Sequence, residues 1–92
     1  MNEETLKAIE EMAYQLFTPA EIAISLEMEE DEFVSSLKDR YSDVHRSFYR
    51  GYFRQLGEVR SYTIKAAHNG SNPAQMELLK LIGDIQRQIQ HG

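Results

Sequence analysis

Thr18-Pro19-Ala20-Glu21-Ile22-Ala23-Ile24-Ser25-Leu26-Glu27-Met28-Glu29-Glu30-Asp31-Glu32-Phe33-Val34-Ser35-Ser36-Leu37 is the stretch on which the fold turns. It opens with a hydroxyl cap, a proline at the first helical position and a glutamate three residues after the cap, which together start a helix. Ile22, Ala23 and Leu26 form its inward face. The period breaks at Glu27-Met28-Glu29-Glu30 and resumes with Phe33, Val34 and Leu37 on a further helix ending near Arg40. Two short helices crossing steeply need a small residue where they touch, and Ala23 supplies it between larger apolar neighbours. The pattern is that of a helix-turn-helix, with Glu27 at the turn position where glycine is usual; a plain helical hairpin is the alternative.

Working outward, Leu6, Ile9, Ala13, Leu16 and Phe17 recur at three- and four-residue spacing and predict a helix from Glu3 to Phe17. Ser42 is positioned to cap a long helix reaching Ala67 or His68. Its expected apolar stripe is Val44, Phe48, Tyr52, Leu56 and Val59 with Tyr62 or Thr63, and Gly51 and Gly57 are expected to weaken it locally. Asn69-Gly70-Ser71-Asn72-Pro73 reads as a left-handed helix end followed by an Asn72 cap and a proline start. The last helix then carries Leu78, Ile82, Ile85 and Ile89 as a coiled-coil-like seam, expected to serve as internal core or as an assembly surface. The expectation is an all-α fold: one 92-residue domain with an N-terminal helix-turn-helix three-helix unit (1–41) followed by a long helical hairpin (42–92).

Composition narrows the function classes. There is no cysteine, hence no disulfide or thiolate chemistry. The N-terminus Met1-Asn2-Glu3-Glu4 is acidic where an export signal would be basic, and no apolar run approaches the ~20 residues of a membrane span, so a cytoplasmic protein with no membrane partner is expected. His45, His68 and His91 are too far apart in sequence to share a helical turn as metal ligands. No nucleophile elbow or glycine-rich phosphate loop is present either, so no enzyme, cofactor or metal is expected.

The net charge of −5 hides a segregation. Residues 1–43 hold twelve acids and three bases; residues 44–92 hold seven bases and three acids. Arg46, Arg50 and Arg54 recur every four residues on one side of the long helix, flanked by His45, Tyr49 and Phe53, with Arg60 and Lys65 beyond. Arg46, Arg50, Arg54 and Arg60 with Lys38 and Arg40 form the candidate DNA-binding set, and the row could track phosphates while exposed aromatics stack on bases. The competing reading pairs these arginines with the acids of the N-terminal half. Glu29-Glu30-Asp31-Glu32, at the start of the helix that would read a DNA groove, opposes major-groove reading and suits a helix dipole instead.

The Glu21-Ile22-Ala23 helix-turn-helix, the segment Tyr49-Arg50-Gly51 to Glu58-Val59-Arg60, and Ala66-Ala67-His68-Asn69-Gly70-Ser71-Asn72-Pro73-Ala74-Gln75 leading into a leucine-rich helix cover most of the chain. In this order they resemble the small terminase subunit of tailed bacteriophages and related prophage helix-turn-helix proteins. The resemblance implies a non-enzymatic DNA-packaging component that binds double-stranded DNA and forms homo-oligomeric rings through its long helices. It also implies regulation of a separate large terminase subunit carrying ATPase and nuclease. The acidic second helix departs from that pattern and leaves open an acidic protein-interaction module or a transcriptional regulator.

Overall fold

Asn2 starts the first helix: its side-chain carbonyl accepts the Thr5 N–H at 2.8 Å. In the computed structural model, which describes residues 1–91, five helices follow one another with no strand among the described residues. They are α1 (Glu3–Tyr14), α2 (Pro19–Ser25), α3 (Glu30–Lys38), α4 (Asp43–His68) and α5 (Asn72–His91). The fold is the expected all-helical one, a cluster of short helices followed by a long one. No helix is long and apolar enough to cross a membrane. The chain separates into two compact units, the first ending at Leu56 and the second beginning at Gly57, so α4 contributes residues to both.

In the first unit α1 stops three residues short of the expected Phe17. The Leu16 N–H donates to the Ala13 carbonyl and the Phe17 N–H to the Met12 carbonyl, both at 3.0 Å, with Leu16 left-handed at φ 67°. The cause lies just downstream. Thr18 precedes a proline and caps α2, so it must be extended (φ −72°, ψ 158°), and the chain has to leave the helix before reaching it. Leu16 is therefore exposed rather than part of the core. The predicted capping box is complete: the Thr18 N–H donates to the Glu21 carboxylate at 2.8 Å, and the Glu21 N–H donates to the Thr18 hydroxyl at 3.2 Å.

The turn between α2 and α3 repeats the same closure without glycine. The Met28 N–H donates to the Ala23 carbonyl at 2.8 Å and the Glu27 N–H to the Ile24 carbonyl at 3.2 Å, which forces Glu27 to φ 56°. A side chain in that region is penalised by about 1–2 kcal/mol, part of which glycine would return as unfolded-state entropy. Glu27→Gly is therefore expected to stabilise the protein by roughly 0.5–1 kcal/mol, read as a rise in denaturant midpoint at unchanged slope. A fall in midpoint would show that the Glu27 side chain contributes more than its backbone strain.

The acidic run starts α3: Glu29 lies outside the helix and its carboxylate accepts the Glu32 N–H at 2.8 Å, while Glu30, Asp31 and Glu32 occupy the first turn, where they complement the helix dipole. Ser42 caps α4 by accepting the His45 N–H at 3.0 Å, and its own hydroxyl donates to the Ser36 carbonyl at 2.6 Å. The His45 Nδ1 lies 2.6 Å from the Leu37 carbonyl; because a carbonyl only accepts, Nδ1 carries the proton there. These bonds tie the end of α3 to the start of α4. Ile9, Ala13, Ile22, Ala23, Phe33, Leu37, Val44 and Phe48 form the buried core, with Ala23 fully enclosed as the helix crossing requires.

The second unit is built differently. Its turn has Gly70 at φ 96°, with the Gly70 N–H donating to the Ala67 carbonyl and the Ser71 N–H to the Ala66 carbonyl. Ser71, not the expected Asn72, caps α5: its N–H closes the end of α4 while its hydroxyl accepts the Ala74 N–H at 3.4 Å. The Gln75 side-chain amide donates to the Ala67 carbonyl at 3.0 Å and fastens the hairpin at its turn. Among the described residues of this unit only Ala67 is a buried hydrophobic side chain, and α5 buries none. The stripe expected to continue along α4 fades after Leu56: Val59 and Tyr62 are exposed.

Candidate nucleic-acid interface

Gly51 determines the geometry of the arginine row. A Cβ at this position would sit 1.9 Å from the Glu10 carbonyl oxygen, 2.8 Å from its carbon and 3.1 Å from the Tyr14 amide nitrogen. The backbone of α1 thus rests on α4 with no side chain between them. Gly51 is a contact surface, not the weak point in the helix that propensity alone suggests. Gly57 has nothing within reach of a Cβ, so at that position the helix-weakening reading stands unopposed.

Because α1 lies so close, its carboxylates reach the arginines beside Gly51. Arg54 donates to Glu10 at 2.7 Å and to Glu11 at 3.2 Å, one guanidinium nitrogen to each, and its guanidinium lies 4.4 Å from the centre of the Tyr14 ring. Arg50 donates to the other Glu10 oxygen at 3.4 Å. One carboxylate therefore bridges two arginines a helical turn apart. Next to them, the Gln55 amide donates to the Tyr14 carbonyl at 2.8 Å, satisfying an acceptor at the end of α1. Arg46 turns the other way, donating to the Tyr41 carbonyl at 2.9 Å and pairing with Asp43 at 3.5 Å.

All three arginines remain on the surface, with side chains 45–63% exposed. The Arg46–Asp43 pair, exposed on both sides, contributes little to stability, since water screens it, whereas Glu10 is 21% exposed and its carboxylate, shared by Arg50 and Arg54, belongs to a partly shielded network. The hydrogen bond from Arg54 to Glu11 and the field of the two carboxylates raise the Arg54 pKa above its already high usual value. Its guanidinium is therefore charged at neutral pH.

The other candidate DNA-binding residues are scattered. Lys38 lies in the last turn of α3, where a cation complements the helix dipole, and the Arg40 guanidinium lies 5.6 Å from the centre of the Tyr41 ring. Lys38, Arg40, Arg60 and Lys65 are exposed, and none makes an ion pair among the described residues. Arg60 belongs to the second unit, where with Asp84 it flanks an apolar groove walled by Ile64, Leu78, Leu81, Ile82 and Ile85. Of the flanking aromatics, Tyr49 is engaged with His45, Phe48, Tyr52 and Phe53, and only Phe53, 57% exposed, offers a face for stacking. No cluster of three metal-ligating side chains occurs among the described residues.

Glu10 and Glu11 were not among the residues the sequence singled out. The available signal was Gly51, but a glycine in a patterned helix does not specify its cause: Gly51 marks a close backbone approach, and Gly57 in the same helix marks none. No protein-family model, no curated protein and no solved structure matches the chain.

Proposed function

We propose that this chain is a non-enzymatic, self-assembling DNA-binding accessory of the kind represented by phage terminase small subunits, with a second copy of itself as its first partner. The observation that carries the reading is the hairpin. Its described residues bury a single hydrophobic side chain, while Ile82, Ile85 and Ile89 stand 45–76% exposed at the spacing of a coiled-coil seam. Two antiparallel helices without a core are marginal in water, and burial against a copy supplies what is missing. The groove favours a copy over an unrelated partner because its rim carries one residue of each sign, Arg60 and Asp84, so a two-fold axis can bring each against its opposite.

DNA is the second partner. Lys38, Arg40 and Lys65 are exposed and make no ion pair among the described residues, Arg60 is committed to the rim of the groove, and Arg46, Arg50 and Arg54 are exposed although paired. Repetition in an assembly multiplies these modest charges. Binding to a short duplex, titrated against salt, tests this part: a log–log slope near −3 is expected if three uncompensated cations engage phosphates, at about −0.9 each. No binding at low salt overturns it. A large terminase subunit would be the motor partner on this reading. The alternative, an acidic protein-interaction module, is favoured by the compensation of the arginines. It predicts that Glu30→Lys with Asp31→Lys abolishes partner capture and leaves DNA binding unchanged.

A further inference from the structure

We infer that Arg50 and Arg54 form an anion site for the nucleic-acid backbone that Glu10 and Glu11 of the same chain occupy until phosphate displaces them. The inference rests on the DNA-binding reading above and adds a regulated site to it.

The geometry is also that of a bound anion. The Glu10 carboxylate offers two equivalent oxygens and one negative charge, and Arg50 and Arg54 take one oxygen each, at 3.4 and 2.7 Å. A phosphodiester offers the same two non-bridging oxygens and the same charge, and arginine forks recognise both. Arg54 extends its second nitrogen to Glu11 at 3.2 Å, so the two guanidinium groups hold two carboxylates as they would hold neighbouring phosphates. The arginines are also placed for exchange. Their side chains are 63% and 45% exposed, so an incoming strand can reach them, and the Tyr14 ring against Arg54 supports the guanidinium whichever anion it holds.

The fold holds the occupying anions in position. Gly51 sets the α1 backbone directly on α4, which keeps Glu10 and Glu11 beside the row at no entropic cost at the moment of binding. An incoming phosphate must therefore compete with carboxylates already in place. When it wins, the freed carboxylates gather cations as the phosphates lose them, so little net counterion release accompanies engagement of Arg50 and Arg54. The site would raise the threshold for DNA binding, and clustering of copies would overcome it.

The test is the full-length double variant Glu10→Gln with Glu11→Gln, which keeps side-chain size and one acceptor oxygen while removing the charge, measured by fluorescence anisotropy on a short duplex across a salt series. Its comparator is Glu30→Gln with Asp31→Asn, which removes the same two charges from α3, away from the arginines. The expected result is a gain in affinity of roughly tenfold at about 100 mM salt, with the slope steepening from near −3 toward −5 as two more cations engage phosphate, and a much smaller gain for the comparator. Equal gains in both variants, or wild-type binding that Glu10→Gln with Glu11→Gln leaves unchanged, would overturn the inference while sparing the DNA-binding reading. No binding by any of the three proteins at low salt, with circular dichroism showing them folded, would overturn both.

Discussion

Replacing Gly51 with alanine is expected to destabilise the first unit by roughly 3 kcal/mol, the upper part of the range for overpacking a tight contact. The added methyl would meet the Glu10 carbonyl at 1.9 Å, and that neighbour is helix backbone, which cannot rotate away as a side chain can. Either α1 is pushed off α4, opening the core around Ile9 and Ala13, or α4 bends. A unit of this size has only a few kcal/mol of total stability, so a fall in melting temperature on the order of 10–20 °C follows. Helix propensity argues the opposite: alanine is better than glycine by about 1 kcal/mol in an open helix. Gly57→Ala supplies that comparison within the same helix, since a Cβ there meets nothing, and it should be neutral or stabilising. If the two substitutions behaved alike, the close approach of α1 to α4 would be wrong, and with it the placement of Glu10 against the arginines.

The second large effect concerns the hairpin. Ile85→Asp places a charge on the exposed seam between Ile82 and Ile89 and beside the Arg60–Asp84 rim. In an interface related by two-fold symmetry the substitution acts twice. Losing about 1.5–3 kcal/mol of isoleucine burial in each copy weakens association by roughly 100-fold to 10,000-fold before the cost of desolvating the carboxylates is added. The oligomer should dissociate at all working concentrations. A second consequence is local: α5, 20 residues long and burying none of them, should lose helix content once it has no partner. The first unit, whose core is complete without these residues, should keep its melting transition. An unchanged mass with unchanged helicity would place the seam outside any interface.

Much of the fold was legible because local chemistry and tertiary structure agree in the first unit. The Thr18-Pro19-Ala20-Glu21 signal names its helix start to the residue, and of the expected inward positions Ile22, Ala23, Phe33 and Leu37 are buried while Leu26 and Val34 are partly so. The errors fall where one element answers to another. Leu16 keeps the period of α1 but lies outside it, because the extended Thr18 required by α2 truncates the helix before it. Asn72 has the chemistry of a cap, yet the position goes to Ser71, as the end of α4 fixes where α5 can begin. The seam Leu78, Ile82, Ile85 and Ile89 carries the same pattern whether it faces its own chain or another, and periodicity alone does not distinguish the two.

The candidate site was half legible for a similar reason. The four-residue spacing of Arg46, Arg50 and Arg54 puts them on one side of α4 in any helix, and the structure has them there and exposed. Their pairing with Glu10 and Glu11 joins residues about 40 positions apart, and no local pattern specifies which acids of the N-terminal half come to them. A spacing rule finds a row of charges; only the packing at Gly51 decides whether that row is bare or covered.

Sedimentation equilibrium of the unmodified chain from low micromolar to about 100 μM tests the self-association most directly, at a concentration range that spans typical homo-oligomer affinities. A mass rising to a whole-number multiple of 10.7 kDa, with α5 helical throughout, is the predicted result. A constant 10.7 kDa species with a fully formed α5 would contradict it, for the hairpin would then be stable with its isoleucines in water.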